Sequence, residues 1–323
     1  MKPEAGVQIV EVGPRDGLQN LDIQVPADDK VRLIERLAAS GLREIQIGAF
    51  VSPAAIPQFR DMREVAARVR DLAGVTLTAL VPNLRGAETA FESGIRKLIF
   101  FFSISRTHNL SNVRQTTEAS LEALASIMDV FSSRPDASVC VALATVFGCP
   151  FEGFFSTDAV LRNVAAVADL GVGEVTLCDT VGFGNPVQVG EITRACMADF
   201  PNLTFGVHLH NTRGLGLANA LKAYETGIRV FDAAVGGLGG CPFAPGASGN
   251  IATEDLVFMF GQMGIETGVR LEELLRTAHL LQNMLPGTPL TGAVFRAGLP
   301  GRVEGMHCRR AAAGLDNNTG KGG

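Results

Sequence analysis

The chain has 323 residues, of which 46% are hydrophobic and 19% charged, and its formal net charge is −5 at pH 7. This balance is typical of a globular protein with a large core, and it excludes a fibrous or largely disordered chain. Because no basic cluster is present, nucleic acid is not expected as a partner. The most apolar run, residues 98–104, is too short to span a membrane, so no membrane partner is expected either.

The six cysteines form no Cys-x-x-Cys pair, and a chain of this length does not need a disulfide scaffold. We therefore expect a reducing compartment. Residues 1–6 lead into a strand pattern with no secretory signal, which predicts a cytoplasmic protein.

Eight strand-like apolar runs alternate with amphipathic helical stretches. The strands are predicted at residues 8–12, 43–50, 75–81, 97–104, 138–146, 174–178, 203–209 and 229–235. The helices predicted between them include residues 29–40, 115–132, 158–170 and 215–226. Glycine often closes these helices, as a helix C-terminus favours.

Eight strand–helix units predict an α/β protein with the (β/α)8 fold, or TIM barrel, and additional C-terminal helices. One catalytic domain is expected over residues 1–300, followed by a polar, glycine-rich tail at residues 301–323 that we expect to be disordered. A doubly wound open sheet is the alternative. The barrel is favoured because polar residues recur at the ends of the predicted strands, which converge on one mouth in a barrel.

His208 and His210 end the seventh predicted strand. Residues two apart on a strand point to the same side, so the two imidazoles project together and could bind a divalent metal. The alternative is a pair of hydrogen-bonded histidines in the core.

Arg15 and Asp16 follow the first strand, where Gly-Pro forces a turn. Asp is a hard oxygen ligand, and Arg stabilises a developing oxyanion. The alternative is a surface turn with a salt bridge. Asp179 ends the sixth strand and is a further candidate for the site. The alternative is that its side chain caps the N-terminus of a helix.

A glycine-rich segment, residues 236–250, follows the eighth strand and could either cradle a phosphate or form a mobile lid. Cys241 lies within it between Gly240 and Pro242, a position predicted to be exposed. It is a candidate acid or nucleophile, and an incidental free thiol is the alternative.

Five motifs, taken together, resemble the hydroxymethylglutaryl-CoA lyase family of metal-dependent TIM-barrel carbon–carbon lyases. They are residues 10–20, 50–53, 148–152, 207–210 and 237–250, in that order. The resemblance extends from about residue 8 to about residue 290.

The resemblance implies that a divalent cation, Mg²⁺ or Mn²⁺, is bound by four residues: Asp16, His208, His210 and Asn250. It implies catalytic roles for His208, for Arg15 at the thioester enolate oxygen, for Cys241 as acid or base, and for Asp179 beside the substrate. The residues expected to contact the acyl-CoA substrate are Gln19, Gln46, Ala49, Arg114 and Thr180. A homodimer is also expected.

The reaction that the resemblance implies is a retro-Claisen cleavage. The metal lowers the pKa of the substrate's tertiary hydroxyl. A base removes the hydroxyl proton, the carbon–carbon bond breaks, and acetyl-CoA leaves as an enolate that an acid protonates.

The chain departs from the family pattern at several positions. Gln46 and Ala49 stand where Glu and Ser are usual, and Arg114 and Asn211 stand where Asn and Asp are common. In the fifth strand the usual Arg and Ser are absent near Cys140 and Ala144. If the missing Glu and Arg face each other, they were removed as a charge pair, which predicts a changed acyl pocket rather than an inactive protein.

Three alternatives remain open. One is a lyase for another 3-hydroxy-3-methylacyl-CoA such as citramalyl-CoA, and one is a catalytically weak homologue that binds metal. A Claisen-condensing synthase is disfavoured by the glycine-rich cysteine loop.

Overall fold

The structure, a computed structural model, describes residues 6–131, 133–241 and 244–300, with the backbone alone for 240, 241 and 244–248. The predicted disordered tail, residues 301–323, lies outside the described residues. The 1–300 boundary of the catalytic domain stays a prediction. Among the described residues, no helix is both long and apolar enough to cross a membrane.

Eight parallel strands close into a barrel in which each strand pairs with its neighbours in chain order. They are β1 Gln8–Glu11, β2 Glu44–Ala49, β3 Thr76–Val81, β4 Lys97–Ser103, β5 Ser138–Ala144, β6 Glu174–Asp179, β7 Thr204–Leu209 and β8 Val230–Ala233. Pairing of β1 with β8 closes the barrel. The predicted TIM barrel and its eight strands are confirmed, and the open-sheet alternative is wrong.

Helices surround the barrel. They are α1 Ala27–Ala39, α2 Met62–Val69, α3 Leu84–Glu92, α4 Arg106–Val113, α5 Thr117–Phe131, α6 Thr157–Asp169, α7 Pro186–Asp199, α8 Gly216–Thr226, α9 Thr253–Gln262, α10 Leu271–Met284 and α11 Ala293–Ala297. The four predicted helices correspond to α1, α5, α6 and α8 within about two residues, and α9–α11 are the additional C-terminal helices.

Short elements complete the mouth of the barrel. A π-helical turn, Gly13–Gly17, follows β1, and a 3-10 turn, Val235–Gly237, follows β8. The glycine-rich segment contains a two-stranded antiparallel hairpin of β9, Gly240–Cys241, and β10, Ala244–Ser248. A further 3-10 turn, Pro57–Phe59, precedes α2.

The strands are buried on both faces, which is why they read as continuous apolar runs. In β5, Val139, Val141 and Leu143 pack in the main core between barrel and helices. The alternate residues, Cys140 and Ala142, belong to a separate apolar cluster. Since successive side chains point to opposite faces of a strand, this second cluster lies inside the barrel.

The first residues of three strands form a charged network in the barrel interior. The Lys97 ammonium lies 3.0 Å from Glu44 Oε1 and 2.5 Å from Glu174 Oε2. Gln8 Nε2 donates to Glu44 Oε2 at 2.7 Å. Because these residues begin their strands, the network closes the end of the barrel opposite the mouth.

A small cavity of about 20 Å³ lies in the barrel interior. Gln46 and Cys140 both line it, with Ile99, Thr176 and Asp232. The two positions at which the chain departs from the family's Glu and Arg therefore share one interior space.

Candidate metal centre and active site

The π-helical turn places Arg15 and Asp16 at the mouth of the barrel. Three successive amides of the turn, those of Arg15, Asp16 and Gly17, donate to the Val12 carbonyl at 3.0, 2.7 and 3.3 Å. Arg15 is 7% exposed, so the alternative of a surface turn is wrong, although Arg15 Nη1 and Asp16 Oδ1 do pair at 2.5 Å. Arg15 Nε also donates to Gln46 Oε1 at 3.0 Å. The guanidinium is thus fixed by a carboxylate on one side and an amide on the other.

His208 lies near the end of β7, His210 directly follows the strand, and both are buried. His208 Nδ1 lies 3.1 Å from Asp232 Oδ2, and a carboxylate only accepts, so Nδ1 carries the proton. His208 Nε2 then presents a lone pair and lies 3.1 Å from His210 Nε2. A carboxylate behind a histidine in this way is common at metal sites, because it fixes the tautomer and ring orientation of the ligand.

The sequence interpretation missed Asp232. The signal was present, since Asp232 is the one charged residue in the apolar strand β8. Its pairing with His208 in register on neighbouring strands could be established only from the fold.

The residues fit a divalent cation. One donor atom each from Asp16, His208 and His210 lies within 4.8 Å of the others. Two nitrogens bound at right angles to one ion, each about 2.1 Å from it, would be about 3.0 Å apart, close to the observed separation of 3.1 Å. Imidazole nitrogen and carboxylate oxygen together suit a borderline or hard divalent ion.

The charges of the cluster also favour a cation. Burial alone would raise the pKa of the Asp16 carboxyl, but Arg15, the two histidines and the Asn250 amide together hold that pKa well below its usual value. Burial, with a smaller effect of His208, lowers the pKa of His210 to about 4. At neutral pH the site therefore offers an ionised carboxylate and a neutral imidazole, the forms that bind metals.

Asn250 lies beside this cluster. A backbone bridge joins it to His210, and its Nδ2 donates to Asp16 Oδ2 at 2.8 Å and to the Leu238 carbonyl at 3.0 Å. A metal would need the amide oxygen, which a half-turn of the amide exchanges with the nitrogen. Its role as a ligand stays a prediction.

Asp179 has a different setting. Its Oδ1 accepts from the Phe183 amide at 2.9 Å and its Oδ2 from the Gly184 amide at 3.1 Å. The N-cap of α7 is Asn185, so the N-cap alternative for Asp179 is wrong. Burial, only partly offset by those amides, raises the pKa of Asp179 to about 6. Asp179 thus anchors the loop after β6, and contact with substrate stays a prediction.

Comparisons of the sequence with a family model and with known proteins agree on one family. The family model described as HMGL-like matches residues 6–281. A hydroxymethylglutaryl-CoA lyase from Bacillus subtilis is 44% identical over 284 residues, covering 88% of this chain and 94% of the relative. An (R)-citramalyl-CoA lyase from Chloroflexus aurantiacus is 43% identical over 303 residues, 90% of this chain and 95% of the relative.

The fold agrees with the sequence. The solved structure of an HMG-CoA lyase from Acinetobacter baumannii, in complex with coenzyme A and 3-methylmalate, superimposes with a TM-score of 0.85 at 42% identity. The match covers 93% of this chain and 97% of that one. The chain belongs to the hydroxymethylglutaryl-CoA lyase family. It is therefore an enzyme of the carbon–carbon lyase class.

The residues expected to contact the substrate of a hydroxymethylglutaryl-CoA lyase lie on several different segments of the chain. Gln46 binds Arg15, as described, and Thr180 Oγ1 accepts from the Thr145 amide at 2.9 Å. Gln19 is half-buried just after the π-helical turn. Arg114 is exposed at the end of α4, in a left-handed conformation with φ 58°. The contacts of these four with substrate stay predictions.

Ala49 does not fit the expected position. It has no exposed surface and packs with the main core. The register of β2 on β3 shifts between Gln46 and Gly48, so simple alternation along β2 cannot be extrapolated to Ala49. Ala144 is likewise fully buried, so neither alanine forms an accessible wall of the mouth.

The lyase mouth is held together by a buried carboxyl that the sequence interpretation also missed. Glu11 Oε1 accepts from the amides of Gly13 at 2.8 Å and Val235 at 2.9 Å. Its Oε2 accepts from Thr253 Oγ1 at 2.7 Å. Glu11 therefore ties together the Arg15–Asp16 turn, the entry to the glycine-rich segment and the start of α9.

A second buried carboxyl holds the same entry. Glu254 Oε2 accepts from the Gly236 amide at 2.9 Å, while its Oε1 has no hydrogen-bond partner among the residues that the structure describes. Burial raises the pKa of Glu254 to about 8, and it raises the pKa of Glu11 to about 7. Both carboxyls therefore keep a proton in the folded lyase under conditions where an exposed Glu would lose it.

Replacing Glu254 with Gln is expected to flatten the pH dependence of stability. The folded chain retains a proton that the unfolded chain releases above the ordinary glutamate pKa of 4.5, so folding free energy is lost as pH rises from there to about 8. Between pH 4.5 and 8, the melting temperature should fall less steeply with pH for Glu254→Gln than for wild type. Glu225→Gln, at a half-exposed site, should behave as wild type. Equal slopes for wild type and Glu254→Gln would contradict the prediction.

Proposed function

We propose that this chain is an Mg²⁺- or Mn²⁺-dependent retro-Claisen lyase that cleaves hydroxymethylglutaryl-CoA or a related 3-hydroxyacyl-CoA to acetyl-CoA and a keto product. The observation that carries the proposal is the Asp16–His208–His210 cluster, oriented by Asp232 and adjoining the buried Arg15. The family to which the chain belongs supports it. A homodimer is proposed with it from the same resemblance, and a cytoplasmic location from the cysteines, which form no Cys-x-x-Cys pair.

Each residue has a role that follows from its contacts. A divalent cation held by Asp16, His208 and His210, with Asn250 as the proposed fourth ligand, would supply Lewis acidity at the substrate hydroxyl. Arg15, held by Asp16 and Gln46, stabilises the negative charge that develops on the thioester oxygen as the carbon–carbon bond breaks. Asp232 keeps His208 in one tautomer. Cys241, in the hairpin loop, moves a proton as acid or base.

A second candidate substrate is (R)-citramalyl-CoA. It is favoured by the relative from Chloroflexus aurantiacus, which is named for that activity and is 43% identical to this chain. The same ligands and the same bond cleavage would serve both substrates, since each has a hydroxyl on C3 of a CoA thioester. A catalytically weak homologue is the remaining alternative, and Gln46 is its main support.

A product screen tests the proposal. The protein is incubated with Mg²⁺ or Mn²⁺ and a panel of 3-hydroxyacyl-CoA esters, and acetyl-CoA and ketones are identified by mass spectrometry. Metal-dependent acetyl-CoA release, lost with a chelator and in Asp16→Asn, is expected. If no ester in the panel is cleaved with either metal, the chain is not a lyase of this kind.

Replacing Gln46 with Glu is expected to give no gain in turnover of hydroxymethylglutaryl-CoA. The new carboxylate would face a cavity that is already lined by three carboxyl side chains, those of Glu44, Glu174 and Asp232. The lysine side chain in the lining of this cavity is that of Lys97. The new carboxylate would also hold Arg15 more tightly and so weaken the stabilisation of the enolate.

The matched variant is Gln46→Glu combined with Cys140→Arg, which adds a cation to the same cavity. Steady-state rates of wild type, both single variants and the double variant form a double-mutant cycle. The double variant should cleave hydroxymethylglutaryl-CoA better than Gln46→Glu alone. An inactive wild type whose activity is restored by Gln46→Glu alone would instead favour the weak-homologue alternative.

A further inference from the structure

Thr145, which directly follows β5 at the mouth of the barrel, has a left-handed backbone. Its φ is 60°, and the residue is fully buried. For a β-branched residue this conformation is an outlier, because the side chain crowds the backbone at positive φ. Among the described residues, the other non-glycine residue with positive φ is Arg114, which is exposed. The fold therefore maintains a costly conformation at a buried position of the mouth, where such residues are often functional.

The hydroxyl of Thr145 holds this conformation in place. Thr145 Oγ1 donates to the Ala144 carbonyl at 2.7 Å, so it accepts the hydrogen of Ser103 Oγ, which also lies 2.7 Å away. The Ser105 amide donates to Thr145 Oγ1 at 3.3 Å. These contacts join the end of β5 to the end of β4 and to the residue before α4.

The backbone amide of Thr145 has a different partner, on the side of β6. In-register pairing of β5 with β6 ends at Leu143 and Leu177. The Thr145 amide then donates to a side chain, Thr180 Oγ1, at 2.9 Å. The strained residue therefore fixes the position of the Thr180 hydroxyl oxygen.

Thr180 lies beside the metal centre. Cys178 of β6 pairs in register with His208 of β7, and Thr180 and His210 are each two residues further along. Thr180 is half-buried, so its hydroxyl stays accessible. Its oxygen accepts from the Thr145 amide, and no acceptor for its own proton is found among the described residues. That proton is available to a ligand in the mouth.

We propose that Thr145 is a positioning residue for the acyl group of the substrate and that it acts through Thr180. The Thr145 amide occupies one lone pair of the Thr180 hydroxyl and fixes the side-chain rotamer. The hydroxyl proton then points into the mouth and is donated to an oxygen of the acyl group. This inference rests on the proposed retro-Claisen activity, and it gives a role in substrate binding to a residue that does not contact the substrate.

A double-mutant cycle tests the proposal, with Mn²⁺ and the ester that wild type cleaves best in the product screen. Thr180→Val removes the donor and should raise KM about tenfold, the upper end of what one hydrogen bond contributes. The value of kcat should stay within about twofold, because the contact is made equally before and during bond cleavage. Thr145→Gly loosens the amide and should raise KM about three- to fivefold, but should have no further effect when Thr180→Val is already present.

Three further variants separate positioning from a general loss of structure, and melting curves establish that each variant folds. Thr145→Ala removes the hydroxyl but keeps Cβ, and should show the same dependence on Thr180 as Thr145→Gly. Thr145→Ser keeps the hydroxyl contacts and should restore KM to within about twofold of wild type. Thr193→Ala removes another buried threonine hydroxyl, bonded to the Val189 carbonyl in α7, and should lower the melting temperature without changing KM.

The outcomes separate this inference from the proposed function. If Thr145→Gly and Thr145→Ala raise KM by the same factor with and without Thr180→Val, or if Thr180→Val leaves KM unchanged, Thr145 does not act through Thr180 although the chain is a lyase. If no ester yields acetyl-CoA with the wild-type protein, the proposed function itself fails.

Discussion

Replacing His208 with alanine is expected to reduce metal-dependent turnover by more than about 100-fold. Loss of a residue that only orients a ligand typically costs about 10–100-fold in metal affinity or activity, and His208 is itself a proposed ligand. Its Nε2 faces His210 at 3.1 Å, so its removal leaves two of the three clustered donors. The measurements are kcat as a function of Mn²⁺ concentration and Mn²⁺ affinity by electron paramagnetic resonance.

Asp232→Asn is the matched control for this prediction. It retains an oxygen that can accept from His208 Nδ1 but removes the negative charge behind the ring. A loss of about 10–100-fold, partly recovered by excess metal, is expected. If His208→Ala bound Mn²⁺ with wild-type affinity, the cluster would not be the metal centre, whatever the effect on rate.

Replacing Cys241 with alanine is expected to lower kcat by about 10²–10⁴-fold with little change in KM, because general acid–base catalysis contributes on that scale. The side chain of Cys241 is not among those that the structure describes, but the backbone supports its position. Gly239 has φ 119°, and a Cβ there would lie 2.7 Å from Asn250 Nδ2. The hairpin therefore begins against a neighbour of the metal cluster.

Two variants accompany Cys241→Ala. Cys241→Ser keeps a hydroxyl of higher pKa and should recover little activity. Cys196→Ala removes a buried thiol from α7 and should leave kcat unchanged. Single-turnover rates ensure that chemistry is measured rather than product release. Wild-type single-turnover rates for Cys241→Ala would remove any catalytic role for this residue.

The barrel could be predicted from the sequence because parallel strands buried on both faces leave continuous apolar runs between amphipathic helices. The metal cluster could be predicted in part, because its two histidines are neighbours in the sequence. Strand geometry alone then directs both imidazoles to the same side. The buried roles of Glu11, Asp232 and Glu254 could not. Each looks like an ordinary acidic residue until distant segments surround it and supply its donors.

Ala49 shows a second limit. Its predicted contact with substrate came from the family resemblance, whereas its side chain packs in the main core, beyond a shift in the register of β2 on β3 after Gln46. A bulge in a strand depends on the packing of neighbouring residues, here Gly48 against Met62 and Phe59. The signal in the sequence was Gly48 itself, since a glycine inside a strand often marks a bulge.

The contacts of Glu11 have a consequence for the order in which a newly made chain acquires activity. Glu11 is separated by 224 residues from Val235 and by 242 from Thr253, and Asp16 by 234 from Asn250. During synthesis at roughly 5–20 residues per second, the first segment of the mouth therefore waits on the order of ten seconds or more for its partners to leave the ribosome. Until then Glu11 remains exposed to water and ionised, since no amide or hydroxyl from the far end of the chain can cover it. Chains that stop just before α9 begins would retain all eight barrel strands but lack the Thr253 hydroxyl that donates to Glu11 Oε2.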